Sequence, residues 1–212
     1  MNTGMAGELI LYTNPMSRGR TVRWMLEELG VPYETRLLDY GTTMKAADYL
    51  AINPMGKVPA IVHDGHVVTE TGAICMYLAD AFPQAGLAPA MGTAERAAYC
   101  RWMFFAAGPV EAAASNTALG FQVPPERKRM TGYGSLEDVL NAIDGHLSKS
   151  TYFAGDTFTA ADVYAGGSVA FMVQFGLFDK RPSFMDYIAR IKDRPAAKRA
   201  REMDDALLPP KT

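Results

Sequence analysis

A carboxylate and a hydroxyl stand side by side at Glu70-Thr71, directly ahead of a segment in which Ile74, Leu78, Ala81 and Phe82 share one helical face. Thr71 is a good N-cap, and a capped helix start leaves its next backbone N–H groups available to an anion. With the Glu70 carboxylate beside that anion site, the pair suits the ammonium and carboxylate of an amino-acid zwitterion. A plainer reading makes Glu70 only a favourable charge at a helix N-terminus. The surrounding elements decide between the two.

Val58-Pro59-Ala60-Ile61-Val62 is apolar enough for a buried strand, and Pro59, which has no N–H to give a ladder, belongs at its first residues. Asp64-Gly65 is a strong two-residue hairpin signal, after which His66-Val67-Val68-Thr69 returns antiparallel. Upstream, residues 8–12 form a short apolar strand broken by Thr13-Asn14-Pro15-Met16. Over residues 17–29, Val22, Met25, Leu26 and Leu29 repeat at helical spacing, Gly30 supplies the stop and Pro32 forbids continuation. Residues 33–38 read as a second strand and 45–52 as a short helix ended by Asn53-Pro54. The order β-α-β-α-β-β-α, with two right-handed β-α-β-type connections and a final hairpin, gives a small mixed four-stranded sheet covered by helices.

Asn53-Pro54-Met55-Gly56-Lys57-Val58-Pro59 followed by Glu70-Thr71-Gly72-Ala73-Ile74 resembles the glutathione-binding half of the soluble glutathione S-transferase family, and the resemblance spans nearly the whole chain. It implies an α/β thioredoxin-like N-terminal domain over residues 1–83, a linker at 84–92 and an all-α helical domain over 93–212. It also implies that Pro59 is cis, that the Val58 backbone pairs with the cysteinyl part of glutathione, and that Glu70 and Thr71 hold the γ-glutamyl end. Lys57 reaches the glycine carboxylate on this reading; otherwise it is an ordinary exposed lysine. Such enzymes lower the pKa of the bound thiol, because only the thiolate attacks electrophiles. Ser17, at the start of the first helix, can donate its O–H to that sulfur while the helix start adds positive potential, as in serine-type bacterial members. Ser17 can equally serve as a helix cap, and Tyr12 and Asn14 stay open as alternates. Arg18 or Arg20 can add further positive charge. Met16, Met103, Phe105 and Phe171 are candidates for the side of the site that takes the electrophile, although apolar helical stripes are more often core.

The breaker-rich stretch with Pro83, Gly86, Pro89 and Gly92 supports a boundary there, and the chain beyond it reads as helical. A long helix from 93 to about 119 is expected to bend at Gly108-Pro109. Leu136, Val139, Leu140, Ile143 and Leu147 form one core stripe; Phe184, Tyr187, Ile188 and Ile191 form another. Thr159-Ala160-Ala161-Asp162 is a capping-box variant that starts a helix sharply, so Asp162 is assigned to folding rather than to chemistry.

With 212 residues, 49% hydrophobic, 21% charged and a net charge of −2, the chain is an ordinary globular protein without the charge excess that nucleic acid or an acidic membrane would call for. Cys75 and Cys100 make no disulfide framework and read as reduced thiols of a cytoplasmic protein. The first residues lack the pattern of an export signal, and no run approaches the ~18 apolar residues of a membrane span. His63, His66 and His146 lack metal-ligand spacing, so no metal is assigned. The expectation is a detoxifying, homodimeric transferase with glutathione as co-substrate and a small hydrophobic electrophile as its other partner. The alternatives are a non-catalytic glutathione-binding or protein-interaction module of the same fold, or a glutathione-dependent peroxidase.

Overall fold

In the computed structural model, residues 8–208 are described; the N-terminal segment, in which no export signal is expected, lies mostly outside them. Two compact units form. Of the described residues, one holds those through Ala85 together with those from Arg194 to 208, and the other is Gly86–Asp193. Residues 194–208, which the sequence assigns to the helical domain, thus cluster with the first unit, because the last described helix packs against the first.

The first unit is built on β1 (Leu9–Thr13), whose five residues are all buried, as expected of a central strand apolar on both faces. It pairs in parallel with β2 (Glu34–Leu37) and antiparallel with β3 (Ala60–His63), which continues into β4 (His66–Thr69), giving the order β2-β1-β3-β4. The edge strands β2 and β4 are the more exposed ones. Only the β1-to-β2 connection is a parallel crossover. The second, through α2 (Ala47–Ile52), delivers β3 antiparallel to β1, so the expected second β-α-β unit is absent. Strand direction is fixed by distant pairing and leaves no trace in a local pattern.

Ile10 and Tyr12 face one side of the sheet with Met44, Tyr49 and Ala60. The helices α1 (Gly19–Leu29) and α3 (Thr71–Ala81) pack together and against the strands through Val22, Met25, Leu26, Ile74, Cys75 and Leu78. Burial pushes the Cys75 thiol up to about 12, so it stays protonated and inert. The β3–β4 turn needs positive φ at both of its residues, and Asp64 (48°) and Gly65 (81°) supply it. The last helix, α9 (Pro195–Asp205), lies on α1.

In the second unit, Thr93 caps α4 (Ala94–Phe105) by accepting from Arg96 N at 3.1 Å. The expected break appears as a π-helical turn, Ala106–Val110, which contains Pro109 and leads straight into α5 (Glu111–Ala118). Ser135 caps α6 (Leu136–Leu147), whose buried stripe packs with that of α8 (Pro182–Lys192). Thr159 starts the segment leading through a second π turn, Asp162–Gly166, into α7 (Gly167–Gln174). Among the described residues no helix is long and apolar enough to cross a membrane.

Candidate functional site

Sheet register brings the segments that carry Tyr12, Val58-Pro59 and Glu70-Thr71 to one end of the first unit. Tyr12 pairs with Ala60, and Ala60 with Thr69, so these three form a row across the central and hairpin strands. Just beyond that row lie the loop leaving β1 at Asn14, two residues past Tyr12, the Val58-Pro59 bond ahead of β3, and Glu70-Thr71 after β4. The two motifs quoted from the sequence and the Ser17 loop are therefore neighbours by pairing alone.

The Val58-Pro59 bond is cis. The loop before it is tied from below: the Lys57 carbonyl accepts from Tyr49 Oη at 2.6 Å and from Asn53 Nδ2 at 2.7 Å, while Asn53 Oδ1 accepts from Met55 N at 3.1 Å. Gly56, at φ 55°, could carry no side chain, since a Cβ there would come within 2.6 Å of the Met44 carbonyl. Sequence reasoning misses Tyr49 and the tie Asn53 makes to the Lys57 carbonyl; Asn53 is read there as a helix end and as the first residue of the quoted motif, with no role of its own.

At the other corner, Glu70 rather than Thr71 is the capping position of α3, with φ 67° and ψ 119°. Its exposed side chain makes no capping bond. The physical reason is the hairpin exit: the chain must turn sharply from β4 into α3, and Glu70 absorbs the turn in the left-handed region, which places Thr71 in the first helical position. The Glu70 carboxylate is thereby exposed at the N-terminus of an eleven-residue helix.

The loop after β1 is closed by its own groups. Asn14 Oδ1 accepts from Met16 N at 2.9 Å, and Asn14 Nδ2 donates to the Leu38 carbonyl at 2.8 Å. Ser17 lies in a turn two residues before α1 instead of opening the helix. Its N–H and O–H both donate to the Asn14 carbonyl, at 3.0 and 2.7 Å, and its Oγ accepts from Gly19 N at 2.9 Å. Gly19 is essential to this geometry: a Cβ there would sit 1.9 Å from Thr13 Oγ1. Tyr12 is on the α2 side of the sheet, its ring 5.5 Å from that of Tyr49 and its Oη accepting from Arg36 Nη1 at 3.1 Å. Met16 is 72% exposed beside Ser17. In the second unit Met103 is enclosed in the core, Phe105 packs edge-on to Trp102, and Phe171 lies tilted against Phe175, ring centroids 4.5 Å apart.

Comparison with known proteins identifies the family. The family model for the glutathione S-transferase N-terminal domain matches residues 7–80, and that for the C-terminal domain matches 97–195. Glutathione S-transferase 3 of Schizosaccharomyces pombe is 31% identical, over 92% of this chain and 87% of its own. A crystal structure of a glutathione transferase from Methylococcus capsulatus superposes with a TM-score of 0.76 at 30% identity, over 93% of this chain and 99% of that one. A sphingomonad glutathione S-transferase complexed with glutathione gives 0.75 at 29% identity, over 92% and 98%. The chain belongs to the glutathione S-transferase family.

Proposed function

We propose that the protein binds glutathione at this end of the sheet and holds its thiol as the thiolate for attack on a hydrophobic electrophile. The observation that carries the reading is the strand register, which makes neighbours of the Ser17 loop, the Val58-Pro59 bond and the Glu70-Thr71 corner. Glu70 and Thr71 take the γ-glutamyl end, the Val58 backbone takes the cysteinyl part, and Lys57 meets the glycine carboxylate. The sulfur then lies toward Ser17.

At rest the Ser17 proton is committed to the Asn14 carbonyl. Turning it to sulfur forfeits a neutral hydrogen bond worth about 1 kcal/mol, and the Asn14 carbonyl keeps the Ser17 N–H. A bond to a thiolate is charge-assisted and worth about 1.5–3 kcal/mol, so the exchange is favourable. Asn14 and Tyr12 are less suited, since both ends of the Asn14 amide tie the loop and Tyr12 Oη is bonded to Arg36 on the α2 side of the sheet. The exposed Met16 offers apolar surface for the electrophile within the same unit. A two-fold homodimer in the cytoplasm completes the proposal; light scattering that finds monomers at micromolar concentration would remove the dimer.

The test separates binding from chemistry. Glu70→Ala and Thr71→Ala should each weaken glutathione affinity roughly tenfold to a hundredfold by calorimetry. Ser17→Ala should leave that affinity unchanged, lower turnover by ~10²-fold and move the pH–rate profile up by about one to two units. Unchanged affinity in the first two variants would sink the binding assignment, and an unchanged profile in the third would sink the thiolate assignment. A panel of aryl halides, epoxides, enones and organic peroxides assigns the second substrate.

A further inference from the structure

Ion pairs among the described residues join α9 and its capping residue Arg194 to α1 in antiparallel order: Arg20 with Asp205 at 2.7 Å, Arg23 with Asp204 at 2.8 Å, Glu27 with Arg199 at 3.1 Å, and Glu28 with Arg194 at 2.7 Å. On α1, positions 20, 23, 27 and 28 lie along one helical face. The first of these pairs does something the others do not. While Arg20 Nη2 holds Asp205, Arg20 Nε donates to the carbonyl of Pro15, inside the loop that carries Asn14 and Ser17. One planar guanidinium thus bridges the last turn of α9 and the loop.

We propose that Arg20 is a positioning residue for the thiol-activating loop, anchored from the far end of the chain by Asp205. The proposal rests on the reading that Ser17 meets the sulfur. The loop's other carbonyls are held locally: Thr13 O by Leu38 N at 2.9 Å, Asn14 O by Ser17, and Met16 O by Tyr40 Oη at 3.4 Å. Pro15 O is the one held by a side chain that α9 steadies. The Pro15-Met16 peptide lies between Asn14, which orients the Ser17 hydroxyl, and Ser17 itself. Releasing its carbonyl lets that peptide rotate and shifts the hydroxyl, and displacements on the ångström scale cost one to two orders of magnitude in rate. Arg20 never touches the substrate; its effect travels through Pro15.

Arg20→Ala, Arg20→Lys, Asp205→Ala and Arg199→Ala would be compared by kcat, KM for glutathione, pH–rate profile and melting temperature. Arg20→Ala should lower kcat roughly tenfold with KM little changed and raise the apparent pKa of the bound thiol. Arg20→Lys should fall with it, because a single ammonium keeps the charge but cannot bridge both partners. Asp205→Ala should show a smaller loss in the same direction, and Arg199→Ala, which loosens the same helix away from the loop, none. The proposal is overturned if lysine restores wild-type kinetics, which would make charge the whole effect, or if Arg199→Ala matches Asp205→Ala, which would make it general helix docking. It is equally overturned if Arg20→Ala keeps its rate and profile. Ser17→Ala tells the two failures apart: a shifted Ser17→Ala profile beside an unmoved Arg20→Ala profile removes only the positioning role, whereas an unmoved Ser17→Ala profile removes the thiolate assignment and this proposal with it.

Discussion

Each unit buries an aspartate completely, and the two are held in opposite ways. In the second unit, Asp162 accepts four hydrogen bonds from neutral donors: Phe153 N and Tyr187 Oη on one oxygen, Thr159 N and Thr159 Oγ1 on the other. Burial pushes its carboxyl up from the ordinary value against the pull of those donors. In the first unit, Asp204 meets a full charge, Arg23, at 2.8 Å, both side chains 1% exposed. Burial works against the Arg23 charge, but Asp204 outweighs it and keeps the guanidinium protonated beyond its usual range. The charged pair is the less complete of the two, since Arg23 Nη2 and Asp204 Oδ2 are buried without a hydrogen-bond partner among the described residues. A buried acid served by backbone and hydroxyl donors is thus better satisfied than one served by an opposite charge.

Breaking the neutral site should cost most. Asp162→Ala leaves two backbone N–H groups and two hydroxyls unserved, and we expect a loss of about 4–5 kcal/mol in denaturant unfolding. A loss under about 1 kcal/mol would show that other acceptors replace the carboxylate. Asp204→Ala should cost somewhat less, about 3–4 kcal/mol, because Arg23 Nη1 keeps Tyr33 Oη and Thr35 Oγ1 nearby. The sharper test is the double variant Arg23→Met/Asp204→Leu, which should come back to within about 1 kcal/mol of the parent, because both partners of the ion pair can be exchanged for hydrocarbon. No such repair exists for Asp162, whose donors include main chain; a double variant as unstable as Asp204→Ala would erase the distinction.

The smallest expected effect is a pH response of the second unit alone. His146 is packed against Trp102 and Phe153, with ring centroids 4.5 and 5.7 Å away. Burial, aided by the nearby charge of Arg101, lowers its pKa below the ordinary 6.5, against bonds to the backbone of Tyr152 and Phe153. A group lowered in the folded state contributes stability that is present above 6.5 and is lost as pH falls through the folded value. The second unit should therefore weaken on mild acidification, followed by Trp102 fluorescence, and His146→Phe should flatten that slope. An unaltered slope would assign the acid response elsewhere.

The legibility of these features depends on sequence distance. Thr159 and Asp162 are three residues apart, and the sequence betrays their box because a cap is local chemistry. Arg23 and Asp204 are 181 residues apart, and each alone looks like a solvated charge on an amphipathic helix. The candidate site divides in the same manner. Its residue types, the two motifs and the element order are readable, since turns and helix starts declare themselves through Pro, Gly and hydroxyl residues. The details that decide chemistry are not. Thr71 is the natural cap by propensity, yet the hairpin exit gives that position to Glu70; Ser17 is a natural helix start, yet its bonds to Asn14 hold it in a turn before the helix. In both cases backbone geometry set by the sheet overrides a local preference.

Because α9 belongs to the first unit, that unit is discontinuous in the chain, and Gly86–Asp193 is inserted within it. A ribosome delivers β1 to α3 first, then the whole helical unit, and only afterwards the helix that covers α1. Throughout that interval Arg23 has no Asp204, and the face of α1 that will be dry is wet. The first unit therefore cannot be completed until residues 194–205 have been made and are free to dock, whatever the order inside the helical unit. Early termination of translation anywhere before Asp204 would strip a buried counter-charge from the earliest helix made, so damage at one end of the message is felt at the other.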